Sequence, residues 1–325
     1  MLRKIHRSIF LILAIATLGV GTLTVLASDS TTALLNTPIS ITGPDGVCKR
    51  VTNASGTGLS AYIPTTSVAE WQSFVAHPPS GVTLASCATD ITVPCGNNIN
   101  LYTLAGSPGS AGAYNFTVPA NCTVGSASTA QPALATGSWP AGSSITLTNN
   151  GTIVGKGGAG GAGGYVYSYP VGYYDTEGTY YQYTNWAAGP GSPGSAGGAS
   201  LSLSYPISID TANGFIYGGG GGGGGGSVFP ASQSNDYGGT GGAGAGPGAA
   251  TGGSSGYYPG YNAGSGGTGG SYGAAGAVGN WSSAYGTSGS APGAGGAAGN
   301  AITRNGHTVT WLGGNDGTHV KGAVQ

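Results

Sequence analysis

Phe215-Ile216-Tyr217 runs directly into nine consecutive glycines, Gly218 to Gly226, and then Ser227. Three conformations compete for such a run. A flexible linker is the ordinary expectation for glycine-rich sequence. A collagen strand needs an unbroken Gly-X-Y register and far more proline, and neither is present. The third is an extended helix of three residues per turn, polyglycine II, with no hydrogen bond inside the strand and every N–H and C=O pointing outward. Those groups need partners once buried, and strands without side chains can approach closely enough to supply them. Ordering glycine costs about 1–2 kcal/mol of backbone entropy per residue, so only a lattice with nearly every peptide paired could offset it.

Working outward, fifty of the chain's 69 glycines fall between Gly151 and Asn300. They come in blocks: Gly157–Gly164, Gly189–Gly198, Gly218–Gly226, Gly238–Gly248, Gly264–Gly270 and Gly293–Gly299. Similar block lengths, and aromatic insertions that would be hazardous in a floppy tail, favour the ordered bundle. The insertions would then be turns at its two ends.

The first insertion carries Tyr165, Tyr167, Tyr169, Tyr173, Tyr174, Tyr180, Tyr181, Tyr183 and Trp186, with Asp175 and Glu177 as its only charges. Tyrosine among Ser, Gly and Asn is the composition of a binding loop, because rigid amphipathic rings make contact at low entropic cost. Some rings would instead cover a lattice that has no side chains of its own. Later insertions repeat the pattern with Asp236 and Tyr237, with Tyr257, Tyr258 and Tyr261, and with Trp281 and Tyr285. These aromatic residues and Asp175 are the candidate binding residues; which insertions share an end is open.

Upstream, residues 28–140 read as a small β-rich domain. Pro38–Thr42, Asp90–Val93 and Tyr114–Val118 are strand-like and are separated by turn residues. Ser144–Val154 reads as one further strand, and Ile207–Asp210 and Phe215–Tyr217 as short ones. A capping box, Ser67 with Glu70, opens one helix whose face carries Trp71, Phe74 and Val75, and His77-Pro78-Pro79 ends it. Cys48, Cys87, Cys95 and Cys122 are even in number and read as two disulfides in one of three connectivities; they lack the Cys-x-x-Cys spacing of a zinc site. Arg3, Lys4 and Arg7 precede the uncharged run Ser8–Leu26 and the small residues of Val25-Leu26-Ala27, the pattern of an export signal over residues 1–27. Whether it is cleaved or kept as an anchor is open, and no later stretch could span a bilayer.

Charge is scarce, 5% of residues. Removing Arg3, Lys4 and Arg7 from the eight basic residues leaves five against nine acidic ones, too few for a nucleic-acid partner. His6, His77, His307 and His319 form no catalytic or metal-binding motif, Lys156 is followed by glycine rather than by the Ser or Thr of a phosphate loop, and the Gly-x-Gly-x-x-Gly matches lack a βαβ setting. The expectation is a non-enzyme with no cofactor and no metal.

Three segments carry a resemblance: Ile145 through Gly164, Ile216-Tyr217 entering Gly218–Gly226, and Ile302–Leu312 with Gly317–Gln325. In this order they resemble the glycine-rich segments of bacteriophage tail-fibre tip adhesins and host-specificity proteins. The resemblance implies a polyglycine II sandwich as scaffold and intervening loops that bind bacterial surface receptors. It does not extend to the cysteine region or to an export signal. The fold expected is mostly β and irregular: a signal at 1–27, a disulfide-bonded domain at 28–140, the polyglycine sandwich at 141–300 and a β-like closing segment at 301–325. The function expected is an exported surface adhesin presenting Tyr-rich loops to a glycan or cell-surface protein. A self-associating subunit of an extracellular filament or surface layer is the alternative, and an ice-binding protein a weaker one.

Overall fold

The computed structural model describes residues 31–34, 39–44, 48–53, 60–64, 67–229, 236–257, 263–284 and 287–325. The expected export segment lies outside them. No helix among the described residues is long and apolar enough to cross a membrane. The chain is mostly β and forms two compact units, one ending at Cys87 and one comprising Ala88–Gln325.

In the first unit, strands β1 (Thr31–Leu34), β2 (Ile39–Thr42), β3 (Cys48–Asn53) and β4 (Ser60–Ile63) precede helix α1 (Val68–Ala76) and strand β5 (Val82–Ser86). β1 pairs with β4, and β2, β3 and β5 form an antiparallel sheet in that order. Ser67 caps the helix as expected, its Oγ accepting from the Glu70 amide at 3.3 Å. α1 turns Trp71 and Phe74 into a core with Ile41, Val51, Ile63 and Val82. The Cys48–Cys87 disulfide closes the unit.

The second unit begins as a three-sided parallel β-helix. Its first coil is β6 (Ala88–Thr92), β7 (Gly96–Asn97) and β8 (Ile99–Asn100), continued by the helical turn α2 (Leu101–Leu104). The second is β9 (Ala113–Val118), β10 (Thr123–Gly125) and β11 (Leu134–Ala135). The third, β12 (Ser144–Asn149) and β13 (Thr152–Val154), departs into the first glycine excursion, which contains β14 (Tyr165–Tyr174) and β15 (Tyr180–Gly189), and returns as β16 (Leu201–Ser202). The fourth, β17 (Ile207–Asp210) and β18 (Phe215–Tyr217), departs into the second excursion, with the short pair β19 (Ser283–Ala284) and β20 (Thr287–Ser288), and returns as β21 (Ile302–Thr303). β22 (Val309–Gly313), β23 (Val320–Lys321) and a bridge at Val324 make the fifth.

Inward side chains stack in register from coil to coil. Ile91, Phe116, Leu147, Ile209 and Trp311 form one ladder; Val124, Ile153, Ile216 and Val320 a second; Ile99, Leu134, Leu201 and Ile302 a third. Buried Asn149 marks the corner between β12 and β13. Its Nδ2 donates to Thr211 Oγ1 (2.9 Å) and the Phe215 carbonyl (3.1 Å), and its Oδ1 accepts from the Gly151 amide. Ser144–Val154 is therefore two strands around a corner, not one.

Residues 88–140 belong with the second unit, and Cys95–Cys122 ties its first coil to its second, whereas Cys48–Cys87 lies in the first unit. Residues 301–325 form the last turns of the same β-helix, and the glycine region makes two excursions from one corner of it.

Inside the excursions, residues 218–227 form a strand at the centre of a hexagon. Amides 219, 222 and 225 donate to 198, 195 and 192; amides 220, 223 and 226 to 245, 242 and 239; amides 221, 224 and 227 to 274, 277 and 280. The carbonyls of the same residues accept in threes from 158, 161 and 164, from 270, 267 and 264, and from 299, 296 and 293. All of these bonds measure 2.7–3.1 Å, so every N–H and C=O from Gly219 to Ser227 is paired and the partner changes with a period of three. Two segments not expected to be part of the bundle join it: 274–280 completes the hexagon, and 251–256 lies outside against 240–243 and 266–269. A Cβ at Gly222 would fall on the Ala159 carbonyl and one at Gly223 on the Gly267 carbonyl, which explains why the central run is glycine alone.

Candidate functional site

The bundle strands alternate in direction, so its two ends differ. Residues 155, 198 and 218 lie at the end joined to the β-helix; there the 271–273 turn packs Tyr272 on Tyr217 with ring centroids 4.9 Å apart. Residues 164, 190, 227, 238, 256, 264, 280 and 290 lie at the other. All four aromatic insertions therefore emerge at the same, distal end, a point the sequence left open. Cross-connections at their base confirm it: Tyr237 bridges both Tyr165 and Tyr257, and Ser290 exchanges hydrogen bonds with Val228. Buried Ser227 and Ser282 join their hydroxyls at 3.1 Å and Val228 is fully buried, which gives the loops a packed collar.

The largest element at this end is the hairpin β14–β15, paired from Tyr165↔Gly189 to Tyr174↔Tyr180. Side chains alternate between the faces of a strand, so its odd-numbered tyrosines share a face. Tyr165, Tyr167 and Tyr169 follow one another with ring centroids 5.9 and 6.3 Å apart. Tyr173 stacks on Tyr181 at 5.5 Å and meets Tyr183 edge-on at 6.1 Å. Asn185, opposite Tyr169 and not singled out by the sequence, donates from Nδ2 to the Tyr169 hydroxyl at 3.0 Å. One face of the hairpin is thus paved by six exposed tyrosines. The other carries Tyr174, the most exposed of the described tyrosines at 72%, with Tyr180 at 5.1 Å from it and Trp186 nearer the base. Tyr180 lies over Gly172, where a Cβ would strike its ring.

Asp175 has a local task. Its Oδ1 accepts from the Glu177 and Thr179 amides at 3.0 and 2.8 Å, closing the turn in which Gly178 takes φ +82°. Tyr237 and Tyr257 stack at 5.8 Å beside the base of the hairpin, and Trp281 is exposed at the same end. Tyr258, Tyr261 and Tyr285 lie outside the described residues. Asp236 is buried next to Tyr237, its Oδ1 has no partner among the described residues, and burial pushes its carboxyl above the ordinary range. No group of His, Cys, Asp and Glu that could hold a metal occurs among the described residues.

A comparison with protein families matches residues 88–325 to the family described as Phage tail fibre adhesin Gp38. The chain belongs to the phage tail fibre adhesin family. The match starts at the first coil of the β-helix, so it takes in Cys95 and Cys122, which the sequence resemblance from Ile145 onward did not reach. No curated protein and no solved structure gave a match. Membership makes this adhesin a receptor-binding protein, extracellular or virion-associated, of a family that binds rather than catalyses. The residues upstream of 88, including the first unit, lie outside the match.

Proposed function

We propose that this adhesin contacts its cell-surface receptor through the distal end of the glycine bundle, with the β14–β15 hairpin as the main contact and the loops at Tyr237, Tyr257 and Trp281 beside it. The single observation that carries the reading is that all four aromatic insertions emerge together from the end remote from the β-helix. On this reading the seven central segments are polyglycine II helices, an account supported by the three-residue period of their hydrogen bonds. Such a bundle is a rigid support, and rigid aromatic loops bind at low entropic cost. The receptor is a glycan or a surface protein. The basic residues before Ser8–Leu26 support export of the chain, which would place the same surface outside a cell.

Binding of purified protein to a panel of bacterial cells tests this. Replacing Tyr173, Tyr174 and Tyr181 together by Ala should weaken attachment at least tenfold, while Ala159→Ser on the flank of the bundle should leave it unchanged. Equal attachment of all three proteins would remove the hairpin from the site.

A further inference from the structure

Resting on the distal-end reading, we propose that the six-tyrosine face of the hairpin takes a linear, uncharged polysaccharide laid along the strand. Three properties of that face point to this ligand. First, it is periodic. Tyr165, Tyr167 and Tyr169 stand two residues apart on one strand, a spacing of about 6.6 Å in an extended chain, and their measured centroid separations are 5.9 and 6.3 Å. Tyr183, Tyr173 and Tyr181 continue the row past Val171 towards the turn. A row of near-equivalent platforms suits a ligand that repeats, whereas a folded protein surface presents a different group at each position.

Second, the face is neutral. The hairpin's only charged residues are Asp175 and Glu177 in the turn, and the Asp175 carboxylate is occupied by backbone amides. Nothing on the strip would compensate a uronate, sulfate or phosphate. Arginine, a frequent anchor of protein–protein contacts, is absent from the hairpin.

Third, the chemistry of each ring matches a sugar. A tyrosine offers an apolar face and a hydroxyl at its tip. A pyranose offers an apolar C–H face and a rim of hydroxyls. Stacking face to face while hydroxyls exchange hydrogen bonds at the rim satisfies both parts without burying an unpaired polar group. Asn185, hydrogen-bonded to the Tyr169 hydroxyl, fixes one of these tips.

The test uses the full chain on an array of linear polysaccharides: neutral glucans, mannans and galactans, with uronate-containing and sulfated chains as charged comparators. Oligosaccharides of any neutral chain that binds are then titrated. The expected result is binding to at least one neutral chain, unaffected by chelator or by raising salt, with affinity rising at least tenfold from disaccharide to hexasaccharide. Tyr167→Ala with Tyr169→Ala should lose it at least tenfold, and Tyr167→Phe with Tyr169→Phe should retain most of it, which separates ring stacking from a folding defect. Binding to charged chains only, or to no polysaccharide, overturns the proposal. If attachment to cells then still depends on the hairpin tyrosines and is stripped by protease, the receptor is a protein and the distal-end reading survives. If attachment ignores the hairpin tyrosines, that reading fails as well.

Discussion

In the β-helix, Leu147 is fully buried, with Phe116 and Ile209 opposite it in the neighbouring coils. In the glycine bundle, Gly222 is also buried and has no side chain; it donates to the Ser195 carbonyl at 2.8 Å and accepts from the Gly296 amide at 2.7 Å. The first region is held by apolar ladders that remove surface from water, each large side chain contributing about 1.5–3 kcal/mol. The second is held by backbone alone. Each paired peptide returns about 1 kcal/mol net against an ordering cost of about 1–2 kcal/mol, so close packing of the strands must add to it. Such a lattice tolerates no gaps. The comparison teaches that a core without side chains depends on their exclusion as strictly as an apolar core depends on their shape.

The sharpest way to break the comparison is to give the bundle a side chain. Gly222→Val places methyl groups on the Ala159 backbone, which cannot yield without shifting a whole strand. It should cost more than about 4 kcal/mol, the range reserved for gross core disruption, seen as loss of cooperative unfolding in urea. A comparable deletion in the β-helix, Leu147→Ala, should cost about 2–5 kcal/mol and leave a cooperative, shifted transition. If the valine is tolerated better than the alanine, the bundle is not packed as described.

A smaller effect is expected at the lattice edge. Where the outer segment 251–256 meets its neighbour, hydroxyls stand in for backbone acceptors: Thr251 Oγ1 takes the Ala243 amide at 2.7 Å and Ser254 Oγ takes the Thr240 amide at 2.8 Å. Thr251→Val should cost about 1 kcal/mol in the same urea titration. No change would mean that water replaces the hydroxyl at this exposed position.

How much of this was legible follows from where each partner lies in the chain. The nine glycines announce the bundle because their chemistry excludes most alternatives, but the first insertion reads as a loop and is a strand pair, and the alternation Tyr165-x-Tyr167-x-Tyr169 was the signal for it. The capping box at Ser67 is equally local. The β-helix was missed because its coils are joined across 25 to 104 residues and two of them are interrupted by the excursions. A signal was present: Ile91-Thr92, Phe116-Thr117 and Leu147-Thr148 repeat an inward apolar residue followed by an outward threonine, with Ile209-Asp210 as a variant. Segments 251–256 and 274–280 were missed because Ala, Ser, Thr and Val stand between their glycines and dilute the pattern. The common end of the insertions depended on counting strands, and those two segments change the count.

The smallest effect lies in the last coil. The His319 side chain, at 2.8 Å, and then the Thr318 and His319 amides hydrogen-bond Asp316 and hold its carboxyl down, from 3.8 to about 2. A carboxyl depressed by folding adds stability that is complete above its unfolded pKa and is lost as pH falls through its folded one. The advantage of the wild type over Asp316→Asn should therefore be constant above pH 3.8 as far as this carboxyl is concerned, decline below it and be lost as pH falls through about 2, read as converging urea midpoints. Midpoints that stay equally separated at low pH would show that the pair does nothing for this coil.

Amide hydrogen exchange along residues 219–227 tests the central claim most directly. If these amides are the hydrogen-bonded centre of a hexagon, they should exchange only through global unfolding, as slowly as those of Leu147 and Ile209 in the β-helix ladders. Exchange at the rate of an unstructured glycine chain would contradict the account, because it would make the nine-glycine run a linker and leave the aromatic loops with no common support.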